Sequence, residues 1–358
     1  MKKTLAALAV LGAFAGSAFA ANVTLYGIAD AGLIYKHVDN GEATTHTFAL
    51  DSGVSSASRF GLKGAEDLGN GMSVGFKLEN GFKIDDGQMG QSGRLFGREA
   101  SLYVKGDFGT VAFGRMGGLA SSSGSYDIFW GIGDAFGGMS KNITGLAISS
   151  RYDNMVTYQT PKFSGLQATV QYSFKEDSKV DGREGSAAVN RYAAAGLTGE
   201  FGALQTAVAY EFQNYNSSVD GAPAKDGHTV YVGGNYNFGA VQPFVMGQYF
   251  KNLQTTSIDD AWVDAPTAGA EGFTGYGLGV GAIVPLGSAK LKVAAYYTDA
   301  EMEDTDTDYT TFAVGGKYEY FLSKRTSVYA GAGYFQYDPD GAKKQESYCA
   351  RTGVTHRF

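Results

Sequence analysis

The chain has few of the residues that usually carry covalent scaffolding or reaction chemistry. One cysteine among 358 residues rules out an internal disulfide and any cysteine-based metal cage. Proline occurs 6 times, against about 18 at ordinary usage, which excludes collagen and argues against a proline-rich disordered chain. Charged residues make up 18%, below the usual ~25%. The formal net charge is −7, and a protein that coats nucleic acid would be basic. The four histidines, His37, His46, His228 and His356, are scattered, and three fall in or beside predicted loops. GxSxG and HExxH motifs are missing, and Gly71–Lys77 (GMSVGFK) is not a Walker loop. No catalytic residue, metal or cofactor is expected. Beyond the N-terminus no run of 18 apolar residues occurs, so no transmembrane helix is expected.

Glycine, by contrast, occurs 52 times, and aromatics are plentiful, with 23 Tyr, 23 Phe and 2 Trp. The mean hydropathy of −0.16 resembles that of a soluble protein. Residues 1–20 read as an export signal. Lys2 and Lys3 form a positive start, Leu5 to Phe14 an apolar stretch too short to span a bilayer, and Ala18-Phe19-Ala20 a small-x-small cleavage site. The mature chain would then be residues 21–358, with 27 basic against 36 acidic residues.

That mature chain alternates with period two. In 166–175, Leu166, Ala168, Val170, Tyr172 and Phe174 oppose Gln167, Thr169, Gln171, Ser173 and Lys175. The same pattern recurs in 72–79, 229–238, 290–297 and 311–320. Successive strand side chains point to opposite faces, so each segment has one apolar and one polar face. A soluble sandwich would alternate too, but the connections discriminate. Short turns (66–71, 106–109, 161–165, 199–203, 237–240, 285–289 and 321–326) interleave with long polar stretches near 37–54, 85–93, 117–150, 176–189, 215–227, 253–273, 300–308 and 338–346. Seven short and eight long connections make sixteen strands. Short turns at one end, long loops at the other and an even strand count predict an all-β fold, a 16-stranded antiparallel up-and-down transmembrane β-barrel. Aromatics agree: Tyr172, Phe174, Tyr210 and Phe212 end strands at the outer interface, and Tyr236, Phe238, Tyr318 and Tyr320 at the inner one.

Four stretches carry a family resemblance: Ala21–Tyr35 (ANVTLYGIADAGLIY), Ser58–Met72 (SRFGLKGAEDLGNGM), Arg94–Gly114 (RLFGREASLYVKGDFGTVAFG) and the ending Gly353–Phe358 (GVTHRF). Together they resemble the trimeric general porins of Neisseria and Burkholderia-like Gram-negative bacteria. The resemblance implies a homotrimer in the cell outer membrane, passive diffusion of small hydrophilic solutes and ions, and a third long loop folded into the barrel. In this chain that loop is 117–150, which contains Asp127, Asp134 and Lys141 with the bulky Tyr126, Phe129, Trp130 and Phe136. The C-terminus alternates Ala350, Thr352, Val354, His356 and Phe358 outward, similar to the signal read by the barrel-insertion machinery, with Phe358 and His356 as its elements.

A diffusion pore needs a wet lumen and a charged constriction rather than covalent chemistry. Strand parity turns Arg59 and Lys63 inward beside outward Phe60 and Leu62, and turns Lys77 and Glu79 inward on the next strand. Arg59 matches the family's arginine in a Ser-Arg-x-Gly stretch, a constriction position. The expected constriction sets Arg59 and Lys77 against Asp127 and Asp134, with Lys63, Glu79 and Glu99 elsewhere on the lumen wall. Simple alternation puts Arg98 and Arg115 on the lipid face, which only a bulge or a place at the polar rim would relieve. The acidic stretch 299–308 reads as a solvated acidic outer loop, with divalent-cation chelation or contact with cation-bridged lipopolysaccharide as the alternative, and it lacks EF-hand spacing. The barrel as a whole is expected to meet outer-membrane lipid and lipopolysaccharide. Two rival readings are a substrate-specific channel and an adhesin or receptor barrel acting through its outer loops.

Overall fold

The computed structural model describes residues 23–121, 123–129, 131–133, 149–186, 189–216, 218–219, 221–257, 263 and 266–358. The strands in chain order are β1 (Thr24–Asp39), β2 (Thr44–Ser52), β3 (Arg59–Gly69), β4 (Met72–Gly81), β5 (Glu99–Gly106), β6 (Gly109–Gly117), β7 (Arg151–Gln159), β8 (Leu166–Ser173), β9 (Arg191–Phe201), β10 (Leu204–Asn214), β11 (Ser218–Val219), β12 (Ala222–Pro223), β13 (Gly227–Tyr236), β14 (Gln242–Leu253), β15 (Phe273–Leu286), β16 (Ala289–Met302), β17 (Thr307–Phe321), β18 (Thr326–Pro339) and β19 (Gln345–Arg357). Seventeen of them form one antiparallel sheet, and β11 and β12 a small separate ribbon. The last strand returns to the first, from Ile28↔Arg357 to Asp39↔Glu346, so the sheet is closed. Closure gives the backbone N–H and C=O groups of the wall strands neighbours, apart from the far edge of β2, which pairs with β1 alone among the described strands. Such pairing is the condition for crossing a bilayer with strands.

The seventeen segments occupy sixteen positions around the barrel. β1 pairs with β3 through Thr24–Ile28 and with β2 through Ala31–Asp39, so β2 and β3 are two halves of one position. The sixteen expected positions are therefore present, but one is broken at 53–58. This changes the first outer connection. The long polar loop expected at 37–54 is a tight hairpin at 40–43, followed by an inward step. There Ser55 N donates to Asp30 Oδ1 (3.1 Å), Lys317 Nζ to Ser55 Oγ (2.7 Å) and Arg351 Nη1 to the Val54 carbonyl (2.5 Å).

Two further expected loops shrink. The 300–308 stretch reduces to a tight turn at 303–306, with Met302 opposite Thr307, so its acidic residues sit at strand ends and on that turn rather than on a long loop. The expected loop at 338–346 reduces to 340–344. These strand-end residues alternate acidic with apolar or Thr, a pattern compatible with either reading, and pairing with long neighbours extends the strands.

The alternating segments lie in β4, β8, β13, β16 and β17 with the expected parity. On β13, Val230 and Val232 are 45% and 56% exposed on the outer wall, while the alternating Thr229 and Tyr231 are buried inward. Tyr236, Phe238, Tyr318 and Tyr320 stand exposed on the outer wall near the short turns, and Tyr172, Phe174 and Tyr210 near the long loops. The inner face is unusual for a sheet interior: its buried residues include Asp30, Glu79, Glu99, Glu211, Lys317 and Arg351.

Candidate pore constriction

β3, β4 and β5 lie side by side and direct Arg59, Lys77, Glu79 and Glu99 into the lumen. The register puts Arg59 opposite Gly81, Lys63 opposite Lys77, and Glu79 opposite both Gly61 and Glu99. Two carboxylates side by side would repel, and both are neutralised locally. Glu79 accepts from Arg98 Nε (2.7 Å) and Tyr26 OH (2.9 Å). Glu99 accepts from Lys77 Nζ (2.8 Å), Ser101 Oγ (3.1 Å) and Ser125 Oγ (2.7 Å). Charge-assisted bonds of this kind are the strong ones, and burial raises the cost of breaking them. Lys77 also donates to Ser125 Oγ at 3.1 Å, which ties β4 and β5 to the third loop.

Arg59 Nη2 donates to Ser56 Oγ at 3.0 Å, so the inward step at 53–58 holds this guanidinium. The Arg98 and Arg151 guanidiniums lie within electrostatic range of it and of one another. The Nε groups of Arg59 and Arg151 have no hydrogen-bond partner among the described residues. Lys63 extends over the Tyr26 ring, with Nζ 5.3 Å from its centroid.

Arg98 and Arg115 show how alternation fails locally. Arg98 precedes β5, so strand parity does not govern it. Its backbone N–H bonds the Glu79 carbonyl (3.2 Å) and its side chain the Glu79 carboxylate, leaving it 5% exposed. Arg115 sits at a bulge, where the β6–β7 register shifts between Gly114 and Met116. Gly114 there has φ 128, a conformation disfavoured for any residue with a Cβ. Arg115 donates to the Gly97 carbonyl (2.8 Å) and Asp153 Oδ1 (2.6 Å), and Arg94 donates to Asp153 Oδ2 (2.9 Å). Both arginines thus end on polar partners from the 82–98 connection and the strands below it.

The described residues of the third long connection, which lie within 117–133, reach the inner faces of β9, β10 and β13. Leu119 N donates to Tyr192 OH (3.1 Å) and Ala120 N to Glu211 Oε1 (3.0 Å), on β9 and β10. Glu211 also accepts from Tyr192 OH (2.7 Å) and Tyr231 OH (3.3 Å). Further along, Asn235 Nδ2 of β13 donates to the Gly131 and Ile132 carbonyls (2.9 and 2.8 Å). Met116, Leu119 and Tyr126 pack with Tyr152, Met155 and Tyr192 in a buried apolar cluster on the inner wall. Asp127 is half-buried in this segment, and its Oδ1 accepts from Phe129 N (3.1 Å). Asp134, Lys141, Trp130 and Phe136 lie outside the described residues.

At the C-terminus Phe358 exchanges backbone bonds with Gly27 (3.0 and 3.1 Å), and His356 Nδ1 lies 2.9 Å from Thr326 Oγ1. His37 and His46 face each other across the β1–β2 hairpin with ring centroids 4.8 Å apart. Among the described residues no group of three or more His, Cys, Asp or Glu could hold a metal. Sequence reasoning missed Arg151, Glu211 and the 53–58 step. Arg151 and Glu211 are single charges beside long loops, and only tertiary contact shows what they meet.

Residues 6–340 match the family described as Gram-negative porin. The chain belongs to that family. An outer membrane porin protein of Bordetella pertussis is 35% identical over the whole of both chains. The major outer membrane protein P.IB of Neisseria gonorrhoeae is 27% identical, again over both full lengths. Among solved structures, an anion-selective porin from Comamonas acidovorans shares the fold with a TM-score of 0.67 at 24% identity, covering 95% of this chain and 100% of its own. The porin is thus a multi-strand barrel of the Gram-negative outer membrane, a general diffusion channel for small hydrophilic solutes and ions.

Proposed function

We propose that the porin's constriction lies at the level of Arg59, Lys77, Arg98 and Arg151, faced by the 117–150 loop with Asp127 and Asp134, and that it favours anions. One observation carries this reading: the nearby wall carboxylates, Glu79 and Glu99, are already held by Arg98 and Lys77. Arg59 and Arg151 are then charges in excess, and the Nε of each has no hydrogen-bond partner among the described residues. A single-signed field in a narrow, low-dielectric channel concentrates the opposite ion. The anion-selective Comamonas porin of the same fold agrees with this sign.

The test is the reversal potential of the purified porin across a KCl gradient in a planar bilayer. The wild type should reverse on the anion side of zero. Arg59→Ala and Arg151→Ala should each move it toward cations, and unmoved values would place the constriction elsewhere.

Several further features belong to the same proposal. Residues 1–20 serve as the export signal. The chain works as a homotrimer: β2 pairs with β1 alone among the described strands and exposes Phe48 (72%) and Leu50 (59%), a face suited to a second copy. The exposed outer wall meets outer-membrane lipid and lipopolysaccharide, and Phe358 with His356 is read by the barrel-insertion machinery. Transport of this kind needs no catalytic group, and we assign none.

A further inference from the structure

We propose that the lumen beneath the third loop contains a binding subsite for small aromatic carboxylates, a proposal that rests on the porin reading. A cavity of about 470 Å³ lies there, walled by β1 and β3–β7 and covered by Ser125 and Tyr126. Its size falls within the roughly 300–1,000 Å³ of small-molecule sites.

Its charge is positive. Lys63 and Lys105 line it from β3 and β5, and neither has a carboxylate partner among the described residues. Glu99 is the one carboxylate in the lining, and Lys77, Ser101 and Ser125 already occupy it. The cavity therefore offers two uncompensated ammonium groups on flexible stems.

Its walls are aromatic. Tyr26 and Tyr103 lie across the glycines of neighbouring strands. A Cβ at Gly61 would overlap the phenol end of Tyr26, and one at Gly75 that of Tyr103. Glycine at these two positions lets the rings lie flat along the wall, where an upright ring would close the space. Tyr26 is held by its bond to Glu79, and Tyr126 is buried against the loop's own cluster. Lys63 already sits over the Tyr26 ring, so cation and ring face are within one small molecule's length. A planar acid can place its ring against tyrosine and its carboxylate against lysine at once. A saturated acid of equal charge gains only the lysine contact, and inorganic phosphate gains no ring contact.

The experiment is single-channel recording of the refolded full-length porin in KCl, with benzoate, cyclohexanecarboxylate or inorganic phosphate added from the periplasmic side. Benzoate should produce saturable, partial block, about 2- to 12-fold stronger than cyclohexanecarboxylate. A Lys63→Gln, Lys105→Gln double variant should weaken that block about tenfold or more, each value being normalised to the variant's own KCl current. Tyr103→Leu should remove the preference for benzoate over cyclohexanecarboxylate while leaving charge-driven block. Equal block by the two acids, stronger block by phosphate, or a benzoate effect that rises linearly without saturation would each overturn the subsite. All three outcomes leave an ohmic KCl conductance intact, whereas absence of KCl conductance from a folded barrel would sink the pore reading itself.

Discussion

Replacing Glu99 with glutamine tests the charge accounting at the proposed constriction in a direction opposite to the arginine variants. The substitution keeps shape and an acceptor carbonyl for Ser125 but removes one negative charge. Glu99 is 1% exposed at its side chain and Lys77 is 23% exposed, so the lumen feels chiefly the lysine once its partner is neutral. An ion passing about 8 Å away in water-like dielectric interacts with one unit charge by about 0.5 kcal/mol. The anion gains and the cation loses that amount, so the permeability ratio changes by up to about fivefold. Screening at about 0.1 M salt, with a Debye length of about 10 Å, reduces the change to about twofold. The expected result is therefore a two- to fivefold rise in anion over cation permeability, greater at low salt, read as a reversal-potential shift in asymmetric KCl. Folding is checked by the variant's heat-modifiable migration on gels. A folded variant whose reversal potential is unmoved, or moves toward cations, refutes the reasoning that Glu99 and Lys77 cancel within the ion path.

Glu211→Ala should free the first turn of the third loop, because Ala120 N, Tyr192 and Tyr231 all lose their acceptor. Bonds to charged groups are worth about 1.5–3 kcal/mol each, and the readout is increased open-channel current noise, with unchanged noise counting against an anchoring role. Outside the barrel wall, burial raises the Glu176 carboxyl above its ordinary value, although Asn190 Nδ2 donates to it at 2.8 Å. A carboxyl with a raised folded value favours the protonated form, so docking of the 174–190 loop is firmest at low pH and weakens as pH rises through that value. Tryptic cleavage at Lys179 and Arg183 should accelerate over that rise in wild type, and Glu176→Gln should flatten the dependence. Deleting Phe358 removes a pair of backbone bonds to Gly27 and the proposed assembly signal. Outer-membrane yield should fall sharply while the detergent-refolded protein still conducts, and normal yield would argue against the signal.

The outer wall was legible in the sequence because its physics is local. Lipid demands an apolar residue at every second position, and Val230–Val232 or Phe312–Val314 carry that demand without help from distant residues. The inner wall was legible only as a parity. Alternation placed Arg59, Lys77 and Glu79 inward, but did not show that Glu99 would take Lys77 and Glu79 would take Arg98, the pairing on which the proposed excess of Arg59 and Arg151 rests. That outcome depends on register between strands and on Ser125 arriving from a loop. Arg98 and Arg115 escaped alternation for two different reasons, one because its residue precedes the strand, the other because Gly114 opens a bulge. The break at 53–58 was invisible for a third reason: Gly53–Ser58 (GVSSAS) has no polarity contrast, and its inward path is fixed by Asp30, Lys317 and Arg351 from the far ends of the chain.

These exceptions cluster on one side of the barrel, and strand length explains why. β4 to β8 run 8–10 residues, whereas β15 to β18 run 14–15. Long neighbours pair with each other to the rim, which is how the acidic 299–308 stretch was drawn into the ladder. Short strands stop early and leave backbone groups at their upper ends that need partners. The connections emerging there supply them: Arg98 N bonds the Glu79 carbonyl, Asn80 Nδ2 reaches the Leu95 carbonyl (2.5 Å), and Gly118 N bonds the Ser150 carbonyl (3.0 Å). A loop that must return to satisfy a low wall is directed over or into the lumen, and a loop on a tall wall is not. The low wall therefore gathers the arginines and the described start of the third loop at one level, so the proposed constriction there would follow from strand length as much as from charge.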